Sequence, residues 1–169
     1  MHDQARRRRG ARGSGVDERW ADLADLALII AREIQFRGYT DERAVLLSPS
    51  EGMVMRHLFG DPAAPPSRIA AATGLQRTNL STTLRGLEAK GLIERRTCTD
   101  DRRGVTVHVT EHGRANYDLV RREWATAVAA AAGHDTTNLD AALALLGDVE
   151  VGLVTARSGT PPAKPARST

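Results

Sequence analysis

Residues 77–91 constrain this chain most. Leu80, Leu84 and Leu87 fall on one side of a helix, at spacings of four and three, and Gly91 stops that helix. A short strand is expected next, Leu92-Ile93-Glu94-Arg95-Arg96-Thr97-Cys98. The opposite side of the helix carries Arg77, Thr78, Asn79, Ser81, Thr82 and Arg85. A core uses the leucine side and has no use for the other. A face of short hydroxyls and guanidiniums suits a helix laid in the major groove of DNA, where hydroxyls reach phosphates and Arg forks onto guanine.

The flanking segments supply a frame for that helix. Ser67 is read as the cap of a short helix containing Ile69, Ala70 and Ala71, ended by Gly74. Helix, Gly-containing turn and helix is the helix-turn-helix arrangement. Upstream, Ser48-Pro49-Ser50-Glu51 is a capping box with Pro at the first helical position. Its helix uses Met53, Val54 and Leu58 and stops at Gly60, and residues 61–66 read as a turn-like loop. Downstream, Val105 to Thr110 alternate as a half-buried strand should. With the strand after Gly91 they make a hairpin whose tip holds Arg102 and Arg103. Two features cut against the recognition helix. Gly86 inside it costs about 1 kcal/mol relative to Ala, and Gln76 is a poor N-cap.

Three further helices are expected. Over residues 17–37, Trp20, Leu23, Ala27, Ile30 and Ile34 form a stripe that Leu26, Leu28 and Ile29 widen. That stripe is too broad for one small domain to cover from one side, and a partner subunit is its natural cover. A long helix spans about 111–132, and a last one, capped by Thr137 or Asn138, reaches about Val154.

Composition narrows the chemistry. The net charge of +3 is unevenly spread: residues 76–103 hold seven basic side chains against four acidic ones, and residues 1–15 hold five Arg against Asp3. A local basic lobe points to a polyanionic partner at one place. The most apolar run, residues 23–34, is cut by Asp25, Arg32 and Glu33 and falls short of the roughly 18 apolar residues of a membrane span. Arg6 to Arg9 are followed by Gly and Ser instead of an apolar stretch, so no secretory signal is read. The single cysteine, Cys98, permits neither an intrachain disulfide nor a Cys-based zinc cage. Its neighbours Arg95 and Arg96 would lower its pKa, yet a half-buried strand thiol is the simpler reading. The five histidines (2, 57, 108, 112 and 134) are scattered along the chain. No nucleophile-base set or phosphate-cradling glycine loop is present. The expectation is a cytoplasmic, non-enzymatic protein without metal or cofactor. Residues 1–15 are read as a disordered basic arm and 156–169 as a disordered tail.

The order of elements resembles the winged-helix repressors of the MarR type. Asp101-Arg102-Arg103 and then Val109-Thr110-Glu111-His112-Gly113-Arg114 look like that family's wing motif, with Val109 in place of the usual Leu. Leu87-Glu88-Ala89-Lys90-Gly91-Leu92-Ile93-Glu94-Arg95 is similar to its passage from recognition helix to wing. The resemblance covers about residues 17–154. It implies a mainly α fold (an α+β winged helix), with a MarR-type domain over 16–155. Within it the winged helix-turn-helix spans about 46–110, and dimerisation helices span about 17–37 and 111–154.

It also implies function: a homodimeric, sequence-specific DNA-binding transcriptional repressor on a pseudo-palindromic double-stranded operator, relieved by a small aromatic ligand. Arg77, Thr78, Asn79, Ser81, Thr82 and Arg85 would face DNA from the helix. Arg103 would reach the minor groove, oriented by Asp101, and Arg102 would touch phosphate. Trp20, Phe36, Tyr39, Met53, His57 and Tyr117 would line the ligand cleft. The alternative is a winged-helix protein that binds nucleic acid or protein without sequence preference.

Overall fold

The computed structural model describes residues 17–97 and 104–159. It comprises two units, residues 1–37 and 38–169. The first contains α1 (Arg19–Phe36). The Asp17 carboxylate accepts the Arg19 backbone N–H at 3.0 Å and so occupies one of the free donors at the helix start. Trp20, Leu26, Ile29, Ile30 and Phe36 are all exposed. The Arg32 guanidinium lies 5.2 Å from the Phe36 ring centre.

The second unit runs α2 (Pro49–Gly60), β1 (Ala63–Ala64), α3 (Pro66–Thr73), α4 (Arg77–Ala89), β2 (Ile93–Thr97), β3 (Val105–Val109), α5 (Glu111–Ala131) and α6 (Leu139–Gly159). The strands form an antiparallel sheet in the order β1-β3-β2, with Ala64 opposite Val107 and Arg95 opposite the same Val107 from the other side. Val54, Met55 and Leu58 from α2, Ile69 from α3, and Leu80, Leu84 and Leu87 from α4 are buried together with Leu92, Ile93, Val107 and Tyr117. Each large aliphatic side chain buried in this way contributes roughly 1.5–3 kcal/mol. Phe59, Tyr117 and Trp124 continue the core as an aromatic file, with ring centres 4.7 Å and 6.4 Å apart.

The capping box at α2 forms as expected and does more than start a helix. Ser48 Oγ accepts from Glu51 N at 3.3 Å, and Glu51 Oε2 accepts from Ser48 N at 2.7 Å. The same Oε2 lies 2.6 Å from Lys90 Nζ, at the end of α4, and Lys90 also donates to the Leu46 carbonyl at 2.8 Å. Glu51 is only 6% exposed. Gly86 makes this possible, because a Cβ there would sit 2.8 Å from Glu51 Oε1. The glycine that looks like a defect in the helix is the space in which a buried carboxylate ties α2 to α4.

The start of α5 is equally tight. Thr110 Oγ1 accepts from Gly113 N at 2.9 Å and donates to the Gly91 carbonyl at 2.7 Å. A side chain at Gly113 would collide with the Leu92 carbonyl oxygen. Asn116 on α5 is buried and holds the incoming chain by both backbone groups of Val45, at 2.7 Å and 3.2 Å.

Three details depart from expectation. Ser67 does not cap α3: the helix begins at Pro66 with Pro65 as N-cap and no side-chain cap bond. The Pro-Pro pair presets the helical φ and moves the start ahead of the serine. The loop between α2 and α3 contains β1, whose two residues pair with β3. Finally, α6 runs past residue 156, where the tail was expected to begin, to Gly159. Arg157 is held there by two carbonyls of α3. The arm 1–15 and residues 160–169 lie outside the described residues.

Gly86→Ala therefore reverses the usual sign. In an exposed helix interior this change stabilises by about 1 kcal/mol. Here it should lower stability, and the same change made in a Glu51→Ala background should recover the ordinary gain. Urea melts of the four proteins of this cycle measure the coupling.

Candidate nucleic-acid interface

The leucines of α4 are fully committed to the core, which fixes what its other side presents. Arg77, Thr78, Asn79, Ser81, Thr82 and Arg85 are all exposed. Gln76, the N-cap, makes no side-chain cap bond. Thr82 and Thr83 return their hydroxyls to the carbonyls of Thr78 and Asn79, at 3.2 Å and 2.8 Å. Arg85 lies back along its own helix, 3.4 Å from the Ser81 carbonyl and 3.3 Å from the Thr82 hydroxyl. Bonds of that length are weak, so a phosphate or base edge would compete successfully for the guanidinium.

Beside this face lies a groove of about 500 Å³, lined by Ser67 and Ala70 of α3, Arg77, Ser81 and Leu84 of α4, and Arg95 of β2. It joins the helix-turn-helix to the root of the wing. Arg95 and Ser67 were not among the residues expected from sequence to meet DNA. Sequence does not place Arg95 in the interface, since its position beside Arg77 depends on how β2 crosses α4. Arg95 lies 3.3 Å from Glu88, and Arg96 pairs with Glu94. The tip residues Asp101, Arg102 and Arg103, with Cys98, lie outside the described residues.

The residues expected in a ligand cleft are not all brought together. Trp20 and Phe36 are exposed on α1, at 51% and 71%. Tyr39 is half-buried, and burial raises its phenol pKa. Tyr117 is 2% exposed and sits in the aromatic file of the core, where burial likewise raises its pKa. Met53 and His57 alone of the six line a cavity of about 560 Å³, together with Arg56, Thr73, Glu150, Val154 and Arg157. Arg56 Nη2 and Glu150 Oε2 pair across it at 2.6 Å. His57 Nε2 is buried without a hydrogen-bond partner among the described residues. Among these residues no group of three or more His, Cys, Asp or Glu is placed to hold a metal ion. No described helix is long and apolar enough to cross a membrane.

The model of the MarR family matches residues 47–105, from the chain entering α2 to the first residue of β3. Among solved structures, the chain is similar to the transcriptional regulator BldR from Sulfolobus solfataricus (TM-score 0.62, 20% identity, 81% of this chain and 97% of that one). It is similar to the PcaV transcriptional regulator from Streptomyces coelicolor, solved with its natural ligand (TM-score 0.60, 15% identity, 86% and 99%). It is also similar to BpsR of Bordetella bronchiseptica, whose DNA binding is regulated by 6-hydroxynicotinic acid (TM-score 0.57, 18% identity, 76% and 98%). At these identities the structural likeness establishes the fold.

If the exposed side of α4 meets DNA, Arg85→Ala should weaken binding by about 1–3 kcal/mol when the guanidinium reads a base, with the loss confined to the preferred sequence. A loss equal across sequences, with a shallower salt dependence, assigns Arg85 to phosphate. Fluorescence anisotropy at several salt concentrations separates the two.

Proposed function

We propose that this chain is a transcriptional regulator of the MarR type, whose family model it matches over residues 47–105, and that it binds a pseudo-palindromic DNA operator as a homodimer, represses there, and is released by a small aromatic ligand. The observation that carries the DNA reading is α4 itself. Its three leucines are buried and its hydroxyl and guanidinium side chains are exposed on a rigid frame. Such a helix enters the major groove with its polar side chains toward base edges and phosphates. Asp101, Arg102 and Arg103 complete the interface in this reading. Arg103 enters the minor groove, Asp101 orients it through a charge-assisted pair, and Arg102 neutralises a phosphate.

The dimer reading rests on apolar side chains that stand exposed among the described residues. On α1 these include Trp20, Leu26, Ile29 and Ile30; on α6 they include Leu139, Leu143, Leu146 and Leu153. Apolar rows of this kind are covered most simply by a second copy. Two recognition helices related by a two-fold axis then meet half-sites about one helical turn apart, roughly 10 base pairs.

The ligand reading is supported by the cavity that Met53 and His57 line, and by the ligand-responsive DNA binding of BpsR. Release requires a ligand that favours the DNA-free arrangement, since one that binds both forms equally shifts nothing.

Selection of bound sites from a random DNA pool tests specificity, symmetry and spacing together. It should return an inverted repeat with half-site centres one turn apart. Binding without sequence preference, steeply dependent on salt, would replace the operator reading with a non-specific one. On the selected operator, Arg103→Ala should cost about 1–3 kcal/mol at fixed salt, and unchanged affinity removes the wing from the interface.

A further inference from the structure

The last turn of α3 ends without a basic residue of its own. A helix C-terminus leaves its final carbonyls without intrahelical donors and carries partial negative charge, so it calls for a cation. That cation arrives from far along the chain. Arg157 Nη2, near the end of α6, donates to the carbonyls of Ala72 and Ala71 at 2.7 Å and 3.1 Å. The guanidinium lies beside Gly74, the left-handed residue that closes α3 (φ +71°) and opens the turn into α4. A Cβ at Gly74 would come within 2.5 Å of Arg157 Nη1. Gly74 therefore serves both the backbone turn and the access of this arginine.

The contact belongs to a longer seam. Glu150, Val151, Val154 and Arg157 recur at helical spacing on α6, and all four line the cavity shared with α2 and α3. Glu150 pairs with Arg56 of α2 at one end, and Arg157 caps α3 at the other. The seam grips both helices that precede the turn, and that turn sets the direction of α4.

We propose that Arg157 is a positioning residue for DNA recognition: it braces the C-terminus of α3 and the turn at Gly74, so that α6 sets the angle at which α4 meets DNA. The inference rests on the DNA-binding reading above and adds a residue that touches no DNA. It also gives the cavity a means of acting at a distance. An occupant that draws Arg157 toward itself removes the brace, and a carboxylate is a stronger partner for guanidinium than a peptide carbonyl.

The test compares Arg157→Ala and Arg157→Lys with the wild-type full-length chain. Binding to the selected operator is measured over a range of salt, alongside amide hydrogen exchange and thermal melting. Arg157→Ala should lose about tenfold in affinity with its salt slope unchanged, because no phosphate contact is lost. Its melting temperature should hold while amides of residues 73–78 exchange faster, and Arg157→Lys, which keeps a cation at the helix end, should restore much of both. Unchanged affinity and exchange would overturn the brace. So would a salt slope reduced by about one, which makes Arg157 a phosphate contact, or a drop in melting temperature that accounts for the whole loss. If wild-type protein binds no DNA, the regulator reading fails first and the affinity claim with it, whereas exchange at the turn still decides whether Arg157 holds α3.

Discussion

The arrangement depends on a carboxylate placed where apolar side chains would be expected. Glu51 begins α2, is almost fully covered, and receives Ser48 N–H and Lys90 Nζ. Removing a carboxylate from water is costly, and the cost is offset only when the geometry around it is good. Here the return is positional. The Glu51–Lys90 pair fixes the start of α2, the end of α4 and the chain at Leu46 relative to one another. An apolar substitute could fill the same space, but it would not tie two helix ends and a backbone carbonyl to one point. The aim of the exposed face of α4 follows from that fixed relation, because a helix packed only by leucines could slide or roll along its stripe.

Most of the architecture was readable where a residue acts on its close neighbours. The leucine spacing of α4, the Ser48–Glu51 box and the start of α5 near residue 111 are local rules, and each holds in the structure. What escaped was settled by distant partners. Gly86 reads as a flaw until Glu51 is placed above it. Arg157 reads as part of a loose tail until the carbonyls of α3 are brought beside it. β1 is two alanines, too short to leave a periodic signal, and exists because β3 offers it partners. Aromatic identity was the least informative cue. Tyr117 suits a cleft as well as a core by composition, and only its packing against Phe59 and Trp124 assigns it to the core.

The same logic explains why the motif around Thr110 has its form. The threonine hydroxyl caps α5 and reaches back to Gly91, while Gly113 lets α5 approach the carbonyl of Leu92. The hairpin and the long helix are joined through backbone at close range, with no room for a side chain between them. Movement of α5 is therefore transmitted to the root of β2 and β3 with little slack. The local rule of helix capping and the larger need for a stiff junction are met by the same two residues.

The small sheet has a further consequence. With β3 in the middle, β2 is a border strand, and unpaired strand borders invite other chains to add on. Glu94, Arg95 and Arg96 place charges of both signs along that border, all three held in ion pairs. A charged rim of this kind discourages fibrillar stacking and sheet-to-sheet adhesion, hazards for a chain that already carries bare apolar rows on two helices. The charges beside α4 thus also serve colloidal hygiene, keeping copies apart along one edge while other surfaces remain free to join.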